Sequence, residues 1–294
     1  MRIAVTGREG QVVRSLLERA RERAEVIALG RPVLDLARPE TIMPVLSGAR
    51  PDIVVSAAAY TAVDQAEDEP ELAFTVNAIG AGAVAEAAAR LGVPIIHLST
   101  DYVFHGEKGE PYSEEDAPNP KNVYGASKLA GEKAVAAANP DHIILRTAWV
   151  YSPFGKNFVK TMLALAQTRD HLRVVSDQYG NPSAAHDIAD AVMAIAEKWH
   201  RRPERHPRGI YHFAGWGYTS WHGFAREVFA LSRAAGGPYA EIEPITTAEY
   251  PTKAVRPQNS RLDCGRFSTD FGYSAPNWRD SLEAVVKRLL SETT

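Results

Sequence analysis

The stretch Ile3-Ala4-Val5-Thr6-Gly7-Arg8-Glu9-Gly10-Gln11-Val12-Val13 decides how this chain is read. Its first three residues form a short apolar run that stops at Thr6-Gly7, as a buried strand does. Val12, Leu16 and Leu17 then recur at helical spacing. Strand, glycine-bearing turn and helix in that order are what a dinucleotide-binding turn requires. Gly7 permits the tight turn, and Gly10 lets backbone N–H groups approach a pyrophosphate at the positive helix end. Taken alone, the pattern fits an ordinary strand-to-helix turn equally well, because short glycine patterns recur by chance. Val13 stands where a third glycine normally allows close helix–strand packing. The helix must therefore shift outward, or small neighbours must absorb the valine.

Working outward, Val26 to Leu29 reads as a second strand ending at Gly30, followed by helix from about Pro39 to Ser47. Ile53 to Val55 is a third strand. The Ala-rich stretch Glu71 to Leu91 predicts a long helix closed by Gly92. Val93 to Leu98 is a fourth strand, Asn122 to Ala138 another helix and Ile143 to Leu145 another strand. Strands that alternate with helices and are apolar on both faces imply a parallel sheet covered on two sides. Right-handed crossovers then give a Rossmann-type doubly wound α/β fold over residues 1–150, the expected NAD(P)-binding domain.

Beyond Val150 the rhythm loosens. Helices are expected at Asn157 to Gln167, His186 to Trp199, Ser220 to Ala235 and Asn277 to Leu290, with a strand at Gly209 to Ala214. Arg201 to Gly209 and Pro244 to Ser260 read as loop. A smaller C-terminal α/β substrate domain is expected from about 151–171 and 215–294, with parts of about 172–214 returning to the first.

The chain has 294 residues, 45% of them hydrophobic and 23% charged, which is globular rather than disordered composition. A net charge of −3 gives no electrostatic footprint for nucleic acid and no reason to expect an anionic membrane. The single cysteine, Cys264, excludes an internal disulfide and a multi-cysteine metal site; it reads as an inert, partly buried thiol. No signal-peptide pattern opens the sequence and no run approaches the ~18 apolar residues of a membrane span. The expectation is a cytoplasmic protein.

Gly30-Arg31 ends the second strand about twenty residues beyond Gly10, where an NAD-selective site places an acidic residue. Arg31 suits a 2′-phosphate instead, so NADPH is expected, with NADH possible. Tyr124 and Lys128 lie at i and i+4 and share one helix face. A phenol titrates near 10, and a neighbouring ammonium favours its ionised form, which makes the pair an acid/base unit. In isolation it also fits a plain helix surface. Ser99-Thr100-Asp101-Tyr102 follows the strand His97-Leu98, beyond whose carboxyl end a hydroxyl can meet a substrate carbonyl.

Further segments join these: Ala57-Ala58-Ala59-Tyr60-Thr61-Ala62-Val63-Asp64, Ser99 to Phe104, Tyr124-Gly125-Ala126-Ser127-Lys128-Leu129-Ala130-Gly131-Glu132, Arg146 to Tyr151 and Arg256 to Leu262. On them the chain resembles the extended short-chain dehydrogenase/reductase family over nearly its whole length. The resemblance implies an NAD(P)H-dependent oxidoreductase acting on a dTDP-sugar, reducing the 4-keto group of dTDP-4-dehydro-L-rhamnose. It implies that Tyr124 protonates the nascent oxyanion. Lys128 would hold the nicotinamide ribose and depress the tyrosine pKa. Thr100 would bond the keto oxygen and, with Asp101, position the sugar, while Trp149 packs on it. By the same resemblance Gly10, Gln11 and Val12 line the pyrophosphate, Asp35 and Leu36 border the adenine, and Ala59, Tyr60, Thr61, Leu98 and Tyr124 join Gly7, Arg31 and Lys128 in the cofactor set.

Some relatives bind magnesium at a dimer contact through acidic residues, one of them in the first helix. Ser15 holds that place here, so no metal is expected, and the chain is read as a monomer or homodimer. Arg256 and Arg261 suit the paired oxygens of a substrate diphosphate, with surface ion pairs the open alternative. His97 reads as a satisfied core histidine and His186 as a helix cap. Trp216 and Trp221, which flank Tyr218-Thr219-Ser220, read as core packing or as a nucleotide stack.

Two other functions compete. One is a nucleotide-sugar epimerase or dehydratase on the same fold, which fold alone does not separate. Arg31 and the missing third glycine lean away from it, towards a released NADPH-type cofactor. The other is a non-catalytic NADP-binding regulatory subunit resembling that of methionine adenosyltransferase. An intact Thr100, Tyr124 and Lys128 set favours catalysis.

Overall fold

A computed structural model describes residues 1–201 and 207–292. The strands used below are β1 (Arg2–Thr6), β2 (Glu25–Leu29), β3 (Ile53–Ser56), β4 (Ile95–Thr100), β5 (His142–Thr147), β6 (His171–Val175), β7 (Gly209–His212) and β8 (Glu241–Ile245). The helices are α1 (Gln11–Arg19), α2 (Ile42–Ala49), α3 (Pro70–Arg90), α4 (Val123–Ala138), α5 (Phe158–Leu165), α6 (Ala185–Arg201), α7 (Trp221–Ala234), α8 (Gly265–Phe271) and α9 (Trp278–Ser291).

Six strands form one parallel sheet in the order β7-β5-β4-β3-β1-β2. The apolar runs are buried on both faces. Ile3, Val5, Val55, Ile143 and Leu145 pack with α1 and α6 on one side. Ala4, Val54 and Ile95 pack with α2, α3 and α4 on the other. The strand order reverses between β1 and β3, so a crevice opens beyond their carboxyl ends.

By length and composition α3 is long and apolar enough to cross a membrane, with mean hydropathy 1.4, which corrects the expectation that no run approaches a span. Its small residues serve a different end here. It lies against the sheet and α4, where a Cβ on Gly131 would come 2.1 Å from the Asn77 carbonyl oxygen. Between Thr75 and Gly80 its backbone widens into a π-helical turn.

A second core gathers α5, α7, α9, β6 and β8 around Val159, Leu172, Val174, Phe224, Val228, Trp278 and Leu282. β6 and β8 were not expected, and β8 corrects the start of the loop read from Pro244. They pair in parallel with Pro244 opposite Val174, and a two-stranded ribbon tolerates the missing N–H. The segment from 172 to β6's end stays with this second core. α6 and β7 return to the sheet, as does α8, whose Phe267 packs on Tyr211 and Phe213. The expected loop over 201–209 falls mostly outside the described residues.

Candidate active site

A cleft of about 1030 Å³ opens at the carboxyl ends of the strands around the β1/β3 reversal. Gly7, Gly10, Gln11, Val12, Arg31, Asp35, Leu36, Ala59, Tyr60, Thr61, Leu98, Tyr124 and Lys128 all line it. Gly7 has φ +100°, a backbone state that glycine adopts without cost. A Cβ on Gly30 would lie 3.0 Å from Arg8 Cγ and 3.3 Å from the Gly7 carbonyl carbon, so only glycine leaves this wall open. Val13 is fully buried with its methyl 3.4 Å from where a Gly7 Cβ would stand. Neighbouring glycine and alanine thus absorb the valine. The first turn of α1 carries no side-chain cap, so its N–H groups face the cleft uncovered. These features fit a dinucleotide with its pyrophosphate at that helix end.

Arg8 lies at this wall beside Arg31. Sequence reasoning passed over it, although its place inside the glycine turn was a usable signal. Asn77 was also missed. The π-turn projects its amide to accept from Tyr60 N at 2.8 Å and to donate to the Tyr60 carbonyl at 3.0 Å and Ser127 Oγ at 3.0 Å. One buried side chain thereby fixes the cofactor loop to the Tyr-x-x-x-Lys helix.

That helix is held at three further points. Asn122 caps it by accepting from Gly125 N at 2.7 Å. Gly125 lies so close to β4's extension that a Cβ would sit 2.2 Å from the Tyr102 carbonyl oxygen. Glu132 takes two hydrogen bonds from Arg146 on β5, at 2.9 and 2.7 Å, and one from Ser99 Oγ at 2.6 Å, all buried.

Burial pushes the Tyr124 phenol up to about 12; a Thr100 hydrogen bond works against this and the Asp101 charge adds to it. Lys128 is not among the groups that set this value. Its ammonium instead turns into the sheet, donating to the Leu98 carbonyl at 2.7 Å and meeting His97 Nε2 at 3.3 Å. Burial brings Lys128 down to about 8, with the Glu132 carboxylate opposing. Thr100 Oγ1 donates to Asp101 Oδ1 at 3.0 Å and accepts from Tyr102 N at 3.2 Å. Burial raises Asp101 to about 6, opposed by the Ser260 and Thr100 hydroxyls. Asp101 Oδ2 finds no aligned donor among the described residues.

Thr100, Asp101 and Trp149 are not part of the cleft's lining. Trp149 has φ +46° and stacks on Trp221 at 3.5 Å and 5°. For a bulky side chain this left-handed backbone costs roughly 1–2 kcal/mol, and Gly180 makes room for the ring. Arg256 is paired with Asp64 at 2.7 Å and Arg261 bonds Asn259 Oδ1 at 2.8 Å, so neither lines the cleft. Of the flanking tryptophans, Trp221 packs internally and Trp216 is 68% exposed. His186 meets Glu18 at 2.9 Å from the first turn of α6. Burial raises the Cys264 thiol to about 12, leaving it unreactive.

A parallel doubly wound sheet, an uncapped glycine turn and a Thr/Tyr/Lys set at the strand ends define a dinucleotide-dependent reductase of the extended short-chain type. The family model described as "RmlD substrate binding domain" matches residues 1–291. The chain is 53% identical over 292 residues to a dTDP-4-dehydrorhamnose reductase of Sinorhizobium fredii, covering 99% of both chains. It is also similar to the crystal structure of a dTDP-4-dehydrorhamnose reductase from Clostridium acetobutylicum (TM-score 0.91, 37% identity, 99% and 100% of the two chains). A Bacillus anthracis dTDP-4-dehydrorhamnose reductase solved in complex with NADP gives TM-score 0.90 at 35% identity over 98% and 99%. The chain belongs to the dTDP-4-dehydrorhamnose reductase family.

Proposed function

We propose that this chain reduces the 4-keto group of dTDP-4-dehydro-L-rhamnose at the expense of NADPH, giving dTDP-L-rhamnose. The observation that carries the reading is the joint position of Tyr124, Lys128 and the cofactor loop on one cleft, beside Thr100. Bound NADPH supplies the hydride. Tyr124, kept protonated by burial, gives its proton to the developing 4-oxyanion. Thr100, its hydroxyl hydrogen turned from Asp101 Oδ1, donates to the same oxygen. Lys128 directs a free N–H of its ammonium to the nicotinamide ribose. Asp101, with an unused acceptor oxygen, and Trp149, held rigid against Trp221, orient the sugar. Arg8 and Arg31 together take the 2′-phosphate, since charged forks suit phosphate oxygens.

Arg256 and Arg261 are left out of this assignment, because their guanidinium groups are already engaged. An epimerase would return its cofactor unchanged, whereas this reading requires net consumption. Incubation with NADPH and the keto sugar should yield dTDP-L-rhamnose by mass spectrometry, one equivalent per NADPH lost. Recovery of an isomerised keto sugar with NADPH intact would overturn the proposal.

A further inference from the structure

Lys128 is as buried as the core aliphatics, at 2% exposure, yet it carries an ammonium. An ammonium offers three donors and no acceptor. Two of the three have partners on β4: the Leu98 carbonyl and His97 Nε2. Glu132, four residues along the same helix, is committed to Arg146 and Ser99, and no carboxylate among the described residues bonds the ammonium directly. The third donor remains for the cleft that Lys128 lines.

His97 can accept from Lys128 only through an unprotonated Nε2. Its hydrogen must then sit on Nδ1, which lies 3.1 Å from Ser56 Oγ. Ser56 and His97 are register partners on β3 and β4, and both are buried to 1%. Burial, reinforced by the Lys128 charge, holds His97 well below the usual imidazole range. It is neutral, as acceptance from an ammonium demands.

We infer that His97 is a positioning residue for the reductase reaction: its Nε2 lone pair, kept available by the Nδ1–H bond to Ser56, holds the Lys128 ammonium so that one N–H faces the cofactor ribose. The triad Ser56–His97–Lys128 runs across two strands and one helix beneath the cleft floor. It rests on the reading of Lys128 as a cofactor ligand, and the test separates the two.

The readout is the NADPH dissociation constant, measured calorimetrically without sugar on the full chain. Lys128→Met tests the cofactor reading by itself: unchanged affinity would reject it whatever His97 does. His97→Leu should weaken NADPH by about tenfold in the parent, the scale of one hydrogen bond to a charged group. In the Lys128→Met background the same substitution should change nothing. His97→Gln, which keeps an acceptor within reach of the ammonium, should stay within about twofold of the parent. Ser56→Ala removes only the group that fixes the tautomer and carries the test if the leucine variant does not fold. It should weaken NADPH about threefold in the parent and not at all beside Lys128→Met. Equal effects in both backgrounds would make His97 a structural residue, and no effect in the parent would make it irrelevant; either overturns the inference.

Discussion

The ammonium of Lys128 donates to the carbonyl of Leu98 over 2.7 Å, while burial holds up the Tyr124 phenol four residues earlier. Sharing a helix face brings two side chains to the same cleft, but each then finds its own partner. Here the lysine secures the floor of the cleft and the tyrosine faces Thr100. Proton donation and cofactor anchoring therefore become separable functions, and each predicts its own signature.

Replacing Tyr124 by Phe removes the acid and leaves the cleft's shape. The rate should fall roughly 10²–10⁴-fold, the range for a positioned general acid. NADPH affinity should change by less than about twofold, because no cofactor bond to the hydroxyl is invoked. Single-turnover kinetics and calorimetry on the same variant check both parts.

Lys128 is protonated below about pH 8 rather than below its ordinary 10.5. As the pH rises through about 8, the ammonium and its third donor disappear, so NADPH should bind progressively more weakly on the alkaline side. The Lys128→Met protein should show a flat profile over the same interval. An alkaline loss that persists in that variant would assign the titration to another group.

Arg8 and Arg31 face one wall of the cleft next to Gly30. Removing either should cost NADPH roughly 10–100-fold in kcat/KM, from about 1.5–3 kcal/mol per hydrogen bond to a charged group, and removing both should cost more. NADH should be affected far less. Steady-state kinetics with the two cofactors on Arg8→Ala, Arg31→Ala and the double variant give the comparison directly.

The Glu132–Arg146 pair is a stability element. Both residues are nearly inaccessible and bonded twice. Arg146→Met would leave a buried carboxylate with only the Ser99 hydroxyl, and breaking such a pair costs about 3–5 kcal/mol. Urea unfolding of Arg146→Met should show that loss. The double change to Glu132→Leu and Arg146→Met should recover much of it.

The alternation of apolar strands and helices up to Val150 was legible because the inner parallel strands are buried on both faces and the edge strand β2 still packs on both sides, so each leaves an apolar run. β6 and β8 were not, since His171–Val175 alternates exposed and buried residues over only five positions and Glu241–Ile245 contains a proline. Glycine spacing and the Tyr-x-x-x-Lys pair were legible within the site, because backbone conformation and helix pitch demand them. Asn77 was hidden by its π-turn, which shifts the helical register that periodicity assumes. The partners of Arg256 and of Lys128 were hidden as well. Asp64 and His97 lie far from them in sequence, and only the tertiary fold brings them near.

The most direct test follows absorbance of the reduced nicotinamide while the purified chain is mixed with NADPH and dTDP-4-dehydro-L-rhamnose, with Tyr124→Phe run alongside. The account predicts sugar-dependent oxidation of NADPH by the parent and its near-complete loss in the variant, with cofactor binding retained in both. NADPH that stays reduced in the presence of the sugar, or a variant that turns over like the parent, would contradict it.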